Sequence, residues 1–242
     1  TISEITTSEG ADAISKKTDD YVEFTVVFTE DVKGTNSLTV TFETSTVDGQ
    51  DGTGTAPYQN LNVWAGTAAI EKIGRFQVST DDLSTDLSIN SPLECSGTIT
   101  DLAGNEMEDF TVPDGKNLND VAEITVDGVN PSITKVESEP STGTLSLGES
   151  ATISIYFNEV ITLADNLSFK LSSDADKAET FDIGSVGVGA DDDGNQVSVG
   201  QYTYTVVADD YEADALYIST GPSGTVNDLA GNEVTSLSIP GD

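Results

Sequence analysis

Tyr21-Val22-Glu23-Phe24-Thr25-Val26-Val27-Phe28-Thr29-Glu30 places apolar side chains at 22, 24, 26 and 28, and Ser150-Ala151-Thr152-Ile153-Ser154-Ile155-Tyr156-Phe157-Asn158-Glu159 repeats the pattern 129 residues later. A period of two is that of a strand with one face in a core and the other largely in water. The stretch therefore reads as β structure, and its recurrence reads as a second copy of one module.

The repetition extends outward from these strands. Leu38, Val40 and Phe42 keep the offset of 129 onto Leu167, Phe169 and Leu171, and Thr1-Ile2-Ser3-Glu4-Ile5 lies over Ser132-Ile133-Thr134-Lys135-Val136. Thr100-Asp101-Leu102-Ala103-Gly104-Asn105 returns as Asn227-Asp228-Leu229-Ala230-Gly231-Asn232, and Phe110-Thr111-Val112-Pro113 as Leu237-Ser238-Ile239-Pro240. An offset that drifts by only a few residues implies shared topology with different loop lengths. The expectation is two domains, 1–130 and 131–242, each of ordinary domain size. The second has no match to residues 116–131 and is expected to lack its last strand.

Forty-three acidic residues against nine basic ones, with no histidine, give a formal charge of −34. Residues 1–130 carry 24 acids and 6 bases and residues 131–242 carry 19 and 3, so acidity belongs to the repeat rather than to one tail. Such a surface disfavours nucleic acid as a partner and calls for screening by salt or for bound divalent cations. A hydrophobic fraction of 36% in alternating runs can still bury a core. One cysteine, Cys95, excludes an intrachain disulfide and reads as a small buried apolar residue. No apolar run approaches a membrane span, and no basic-then-apolar leader opens the chain, so it reads as a soluble, excised or processed segment without direct membrane insertion.

Further strands are expected at 37–44, 71–79, 87–89, 94–99, 109–112 and 122–126, then at 167–171, 201–208 and 215–219, separated by Asp/Gly/Asn/Ser/Thr turns. Helical periodicity is confined to about two turns, near 209–215. Regular strands with polar turns favour an all-β chain of two tandem immunoglobulin-like antiparallel β-sandwich domains. Residues 124–133 join one copy to the next, and Pro131 restricts both itself and Asn130, so a stiff linker is expected.

Phe28-Thr29-Glu30 with Phe157-Asn158-Glu159, the two Asp-Leu-Ala-Gly-Asn loops, and Val126-Asp127-Gly128-Val129-Asn130-Pro131 together resemble the tandem immunoglobulin-like repeats of giant bacterial and archaeal cell-surface proteins, such as surface-layer proteins or calcium-dependent adhesins. The resemblance covers nearly the whole chain. It implies an extracellular, cell-surface location and calcium in interdomain loops. Glu30, Asp101, Asn105, Asp127 and Asn130, with Glu159, Asp228 and Asn232 in the second copy, form the pool of ligands; calcium takes six to eight oxygens from carboxylates, amides and backbone. The other reading of Asp-Leu-Ala-Gly-Asn is a β-turn whose Asp and Asn bond the backbone while Gly takes a positive φ.

Asp191-Asp192-Asp193-Gly194-Asn195 imitates the start of a calcium loop with oxygens at Asp191, Asp193 and Asn195, but Tyr202 stands where the twelfth-position glutamate would fall. A solvated hairpin tip is its alternative. Asp48-Gly49-Gln50-Asp51-Gly52 is a weaker candidate, and Asn166-Leu167-Ser168 fits a glycosylation sequon.

No histidine, no partnered cysteine, no Gly-x-Ser-x-Gly and no phosphate-cradling loop mark a catalytic site, and neighbouring acids such as Asp81-Asp82 alternate faces on a strand. A non-enzymatic structural and interaction segment is expected, either a surface-layer subunit or an adhesin stalk. Its partners would be neighbouring repeats of the same chain, divalent cations, and copies of itself in a lattice or another cell surface or glycan. The alternative is a carbohydrate-binding or spacer module of a secreted polysaccharide-active protein, with Trp64, Tyr58, Tyr202, Tyr204, Tyr211 and Tyr217 as the aromatics to watch.

Overall fold

The computed structural model describes residues 1–10, 12–34, 37–45, 58–62, 68–172, 179–208 and 216–240. The chain separates into two units, Thr1–Val129 and Asn130–Asp242.

The first unit contains β1 (Ile2–Thr7), β2 (Ile14–Lys17), β3 (Tyr21–Gly34), β4 (Ser37–Ser45), β5 (Tyr58–Asn62), β6 (Ala69–Gln77), β7 (Leu83–Ile89), β8 (Glu94–Cys95), β9 (Ile99–Asp101), a single helical turn α1 (Leu118–Val121) and β10 (Ile124–Asp127). One sheet runs β1-β3-β6, with β9 on the far end of β3; the other runs β2-β10-β7-β4-β5, with β8 on β4. This is the two-sheet order of an immunoglobulin-like sandwich. All described pairs are antiparallel except β2 with β10, which run parallel, Ile124 opposite Ile14 and Asp127 opposite Lys17. The chain's opening segment thus contributes β1 to one sheet and β2 to the other.

Alternation does what the sequence implies. Val22, Phe24, Val26 and Phe28 of β3 and Leu38, Val40 and Phe42 of β4 are buried from opposite sheets. The Phe24 ring meets Phe42 edge-on at 5.1 Å, and Phe76 of β6 stacks on Phe42 at 4.6 Å. Each fully buried ring contributes about 1.5–3 kcal/mol from burial alone. The α1 turn is fixed by a reciprocal capping box between Asn117 and Asp120 and buries Leu118.

The second unit contains β11 (Ile133–Glu139), β12 (Ser150–Phe157), β13 (Ile161–Leu163), β14 (Leu167–Ser172), β15 (Glu179–Ile183), β16 (Val186–Ala190), β17 (Gln196–Thr205), β18 (Tyr217–Asp228) and β19 (Glu233–Ser236). Its sheets run β11-β12-β17-β16 and β13-β18-β14-β15, with β19 on β18. Ile153, Ile155, Phe157, Leu167, Phe169 and Leu171 form its core.

The repeat holds to the level of single residues. In the first unit Ile2 faces Phe28 and Glu4 faces Val27, so Ser3 is bulged; in the second Ile133 faces Phe157 and Lys135 faces Tyr156, so Thr134 is bulged at the matching place. Val32 pairs with Asp101 as Ile161 pairs with Asp228. A bulge kept in both copies sets the same local twist and ends the same strand in the same direction.

Several expectations shift. The strand expected at 94–99 is two short ones, β8 and β9. Residues 109–112 join no ladder; Thr111 N–H instead donates to the Asp109 carboxylate and Val112 N–H to Ser91 Oγ. The helical expectation at 209–215 falls outside the described residues, as do Trp64, Tyr211 and 48–52. Among the described residues no helix is long and apolar enough to cross a membrane.

Candidate functional site

Three loops share one hydrogen-bonded geometry. In each, an aspartate accepts from the backbone N–H and the side-chain amide of the asparagine four residues on. Asn105 donates to Asp101 through its N–H at 2.8 Å and its Nδ2 at 2.7 Å. Asn195 donates to Asp191 at 2.7 and 2.9 Å. Asn232 donates to Asp228 at 2.8 and 2.6 Å. The Asp N–H also donates to the Asn carbonyl in all three. The intervening glycines, Gly104, Gly194 and Gly231, take φ of 96°, 88° and 93°, a region in which glycine alone is free of steric penalty. The sequence grammar is therefore Asp-x-x-Gly-Asn. Asp191-Asp192-Asp193-Gly194-Asn195 belongs to it equally with the two Asp-Leu-Ala-Gly-Asn loops.

Electrostatics follow the bonds. The Asn105 amide and backbone N–H hold the Asp101 carboxyl below its ordinary value, and the Asn195 amide does the same for Asp191. A carboxylate has about four lone-pair sites. Two or three donors from the turn leave each aspartate room for one further cation contact.

The copies differ in exposure. Asp228 and Asn232 are 4% and 3% exposed, whereas Asn105 is exposed and Asp101 half-buried. Asp228 additionally accepts from Gly231 N–H at 2.6 Å. One carboxylate oxygen of Glu159 lies within 4.8 Å of one of Asp228. Glu159 follows Asn158, whose Nδ2 donates both to Glu159 Oε1 and to the Asn130 carbonyl at 3.2 Å, and whose Oδ1 accepts from Ser132 N–H at 2.8 Å. Asn158 thereby ties the residues around Pro131 to the end of β12. It was named in the sequence only as the middle of Phe157-Asn158-Glu159; the signal that marks it is its position at the strand end, facing the chain's entry.

Asp127 Oδ1 accepts from Val129 N–H at 3.1 Å in an Asx turn. Glu30 is exposed within β3, Asn130 is exposed, and Asp193 is exposed in the 191–195 turn. Asp192 pairs with Lys135 at 3.2 Å. The lysine also pairs with Glu137 and lies 4.5 Å from the Tyr156 ring centroid. Asn166 is exposed immediately before β14.

A second polar centre escaped the sequence reading. Gly128 N–H donates to the Asp82 carbonyl at 2.6 Å, and the Gly128 carbonyl accepts from Asp81 N–H at 3.0 Å and from Thr18 Oγ1 at 3.1 Å. A Cβ on Gly128 would stand 2.1 Å from the Ser79 carbonyl oxygen. The Asp82 side chain accepts from Ser79 N–H at 2.8 Å and Thr44 Oγ1 at 3.3 Å, and burial pushes its carboxyl up. The Asp-Gly of the linker is thus bolted to the 79–82 corner of the first unit.

Tyr202 and Tyr204 do not make an open platform. Tyr202 meets Phe169 at 5.9 Å and Phe181 at 4.6 Å, and Tyr204 meets Phe181 at 6.3 Å, packing with the core as the alternative reading of those residues requires. Cys95 is half-buried against the core, its Sγ donating to the Gly97 carbonyl at 3.2 Å.

No protein-family model matches the chain, and no curated protein matches it. Among solved structures the chain is similar to a crystal structure of bovine butyrophilin, with 11% identity over 98% of each chain and a TM-score of 0.26. At that score the strand order, and not the overlay, is the ground for an immunoglobulin-like fold.

Proposed function

We propose that this chain is a structural and interaction segment of a large extracellular surface protein, a surface-layer subunit or an adhesin stalk, and that it works without catalysis. The observation that carries the reading is the repetition of one framework, with the same strand bulge at Ser3 and Thr134 and the same Asp-x-x-Gly-Asn turn in both copies. Repetition of scaffold in place of a single cleft is what builds length, and an evenly acidic surface gathers cations wherever the chain is displayed.

The proposal includes calcium. Glu159 and Asp228 bring two carboxylates close together. Asp127, three residues ahead of Asn130 along the chain, is the third member of the proposed set, with Glu30, Asp101, Asn105, Asn130, Asn232, Asp191 and Asp193 as the wider pool of oxygens. A cation there would offset the mutual repulsion of the acids and stiffen the junction.

Sedimentation and electron microscopy with and without calcium separate the two forms. A surface-layer subunit assembles into sheets, and a stalk stays monomeric and extended. Binding to a polysaccharide array with neither behaviour would overturn the proposal in favour of a carbohydrate-binding module.

A further inference from the structure

β16 ends its sheet, and among the described residues no strand lies along its outer edge. Antiparallel strands alternate between facing residues that exchange hydrogen bonds and facing residues that do not. Asp191 N–H donates to the Asn195 carbonyl at 3.0 Å, which places a bonded pair at the turn, and Ser198, which faces Val188, sends its N–H instead to the Glu159 carbonyl at 2.9 Å. Gly187 and Gly189 are therefore the residues that bond to β17. The N–H and C=O groups of Val186, Val188 and Ala190 point to the outer edge.

That edge lacks the usual protection. Native sheets blunt an open edge with charge, proline or a covering segment, and Lys72 in β6, Glu137 in β11 and Asp182 in β15 supply charge to other strands that end a sheet. From Ile183 to Ala190 no residue is charged. Val188 is 67% exposed, and Gly187 has no side chain to shield the backbone. In a chain of formal charge −34, an uncharged edge is where two copies meet with least repulsion.

We propose that β16 is a self-association strand, pairing antiparallel with β16 of a second copy about a two-fold axis at Val188. Val186-Gly187-Val188-Gly189-Ala190 reads nearly alike in both directions, so an inverted copy matches it in full. Val188 faces the second copy's Val188, Val186 faces its Ala190, and Gly187 faces its Gly189. All three outward residues then form bonded pairs, with two hydrogen bonds in each. The exposed Val188 side chains meet across the axis, a β-branched contact of the kind that stabilises sheets. Charge selects this register. Asp191 faces Ser185 and Asp192 faces Gly184, whereas an axis displaced to the turn would set aspartate against aspartate.

Five residues of strand cover far less than the roughly 800 Å² per partner of a standard interface, so the pair is weak and needs its acidic surroundings screened. A two-fold contact closes on itself and gives dimers, not sheets. The inference stands whether or not the parent protein is a surface protein.

The test is sedimentation equilibrium of the intact chain in chelating buffer at about 0.1 and 1 M sodium chloride, with amide exchange at low and high protein concentration. The expected result at the higher salt is a monomer–dimer equilibrium with a dissociation constant at or below about 1 mM, weakening as salt is removed. Exchange protection should rise with concentration at Val186, Val188 and Ala190 and stay constant at Gly187 and Gly189. Val188→Pro removes only an outward N–H, as proline on an edge strand can, and should weaken the dimer by about tenfold or more. Val188→Asp sets two charges across the axis on an exposed site and should do the same, so the test survives if the proline variant folds poorly. The melting temperature of the dilute Val188→Asp chain should be unchanged. A chain monomeric in both salts, a dimer indifferent to both variants, or protection gained only at another strand would overturn the proposal.

Discussion

The Asn232 side-chain amide donates to the buried Asp228 carboxylate at 2.6 Å, and the equivalent atoms of Asn105 and Asp101 meet at 2.7 Å on the open surface. The same clasp therefore works in two dielectric settings. Removing the amide from the buried copy takes a donor from an aspartate that is 4% exposed, while the exposed copy can turn to water. Asn232→Ala is expected to cost about 1–3 kcal/mol, and Asn105→Ala distinctly less. Urea denaturation of the two variants checks the order; equal losses would mean that burial is not what the clasp serves.

Acid should act on these turns with a definite sign. Asp101 and Asp191 have carboxyls held below the ordinary value of 3.8 by their asparagines. Each contributes stability that is present above that value and is lost as pH falls through its lowered folded value. The double variant Asp101→Asn, Asp191→Asn is expected to lose this acid-side slope, measured as melting temperature between pH 5 and 2 on the scale where such titrations fall.

Asp82 should behave oppositely. Burial raises its carboxyl above 3.8, so its protonation favours the folded state; that contribution is full below 3.8 and disappears as pH rises through the raised folded value. Asp82→Asn keeps an acceptor for Ser79 N–H and removes the buried charge. The expected outcome is a flatter stability profile above pH 3.8, read by denaturation at a series of pH values. An unchanged profile would contradict the assignment.

Gly128→Ala should destabilise the first unit by about 1–3 kcal/mol, because the new methyl carbon meets the Ser79 carbonyl at 2.1 Å and can be relieved only by moving backbone. Calorimetry of the variant would locate the loss. A silent substitution would show that the 79–82 corner yields freely.

Much of this was legible from side-chain alternation. β3, β4, β12 and β14 announce themselves because one face of each is wholly apolar, and the bulge at Ser3 and Thr134 lies inside the stretch where the two copies align. β2 was not legible: Ile14-Ser15-Lys16-Lys17 has no strand pattern of its own and is one only because β10 lies beside it. β16, Val186-Gly187-Val188-Gly189-Ala190, is hidden by its glycines; a Cβ at Gly189 would stand 2.6 Å from Val199 Cγ2, so close packing demands the residue that obscures the signal. The 191–195 turn was legible in its Asp-x-x-Gly-Asn spacing, yet the run of aspartates drew attention to calcium loops first. Asp82 and Gly128 were out of reach, because 46 residues separate partners that only the fold brings together.

The most direct measurement is a calcium titration of the chelator-treated chain, followed by thermal melting and small-angle scattering, with sodium chloride and magnesium at matched ionic strength as controls. A structural segment held by calcium should give a saturable, calcium-specific rise in melting temperature that grows with the logarithm of free ion, weakened by Asp127→Ala, with a longer and stiffer scattering envelope. The same rise with sodium chloride or magnesium, or none at all, would reduce the acidic loops to a screened surface and contradict the calcium-held segment.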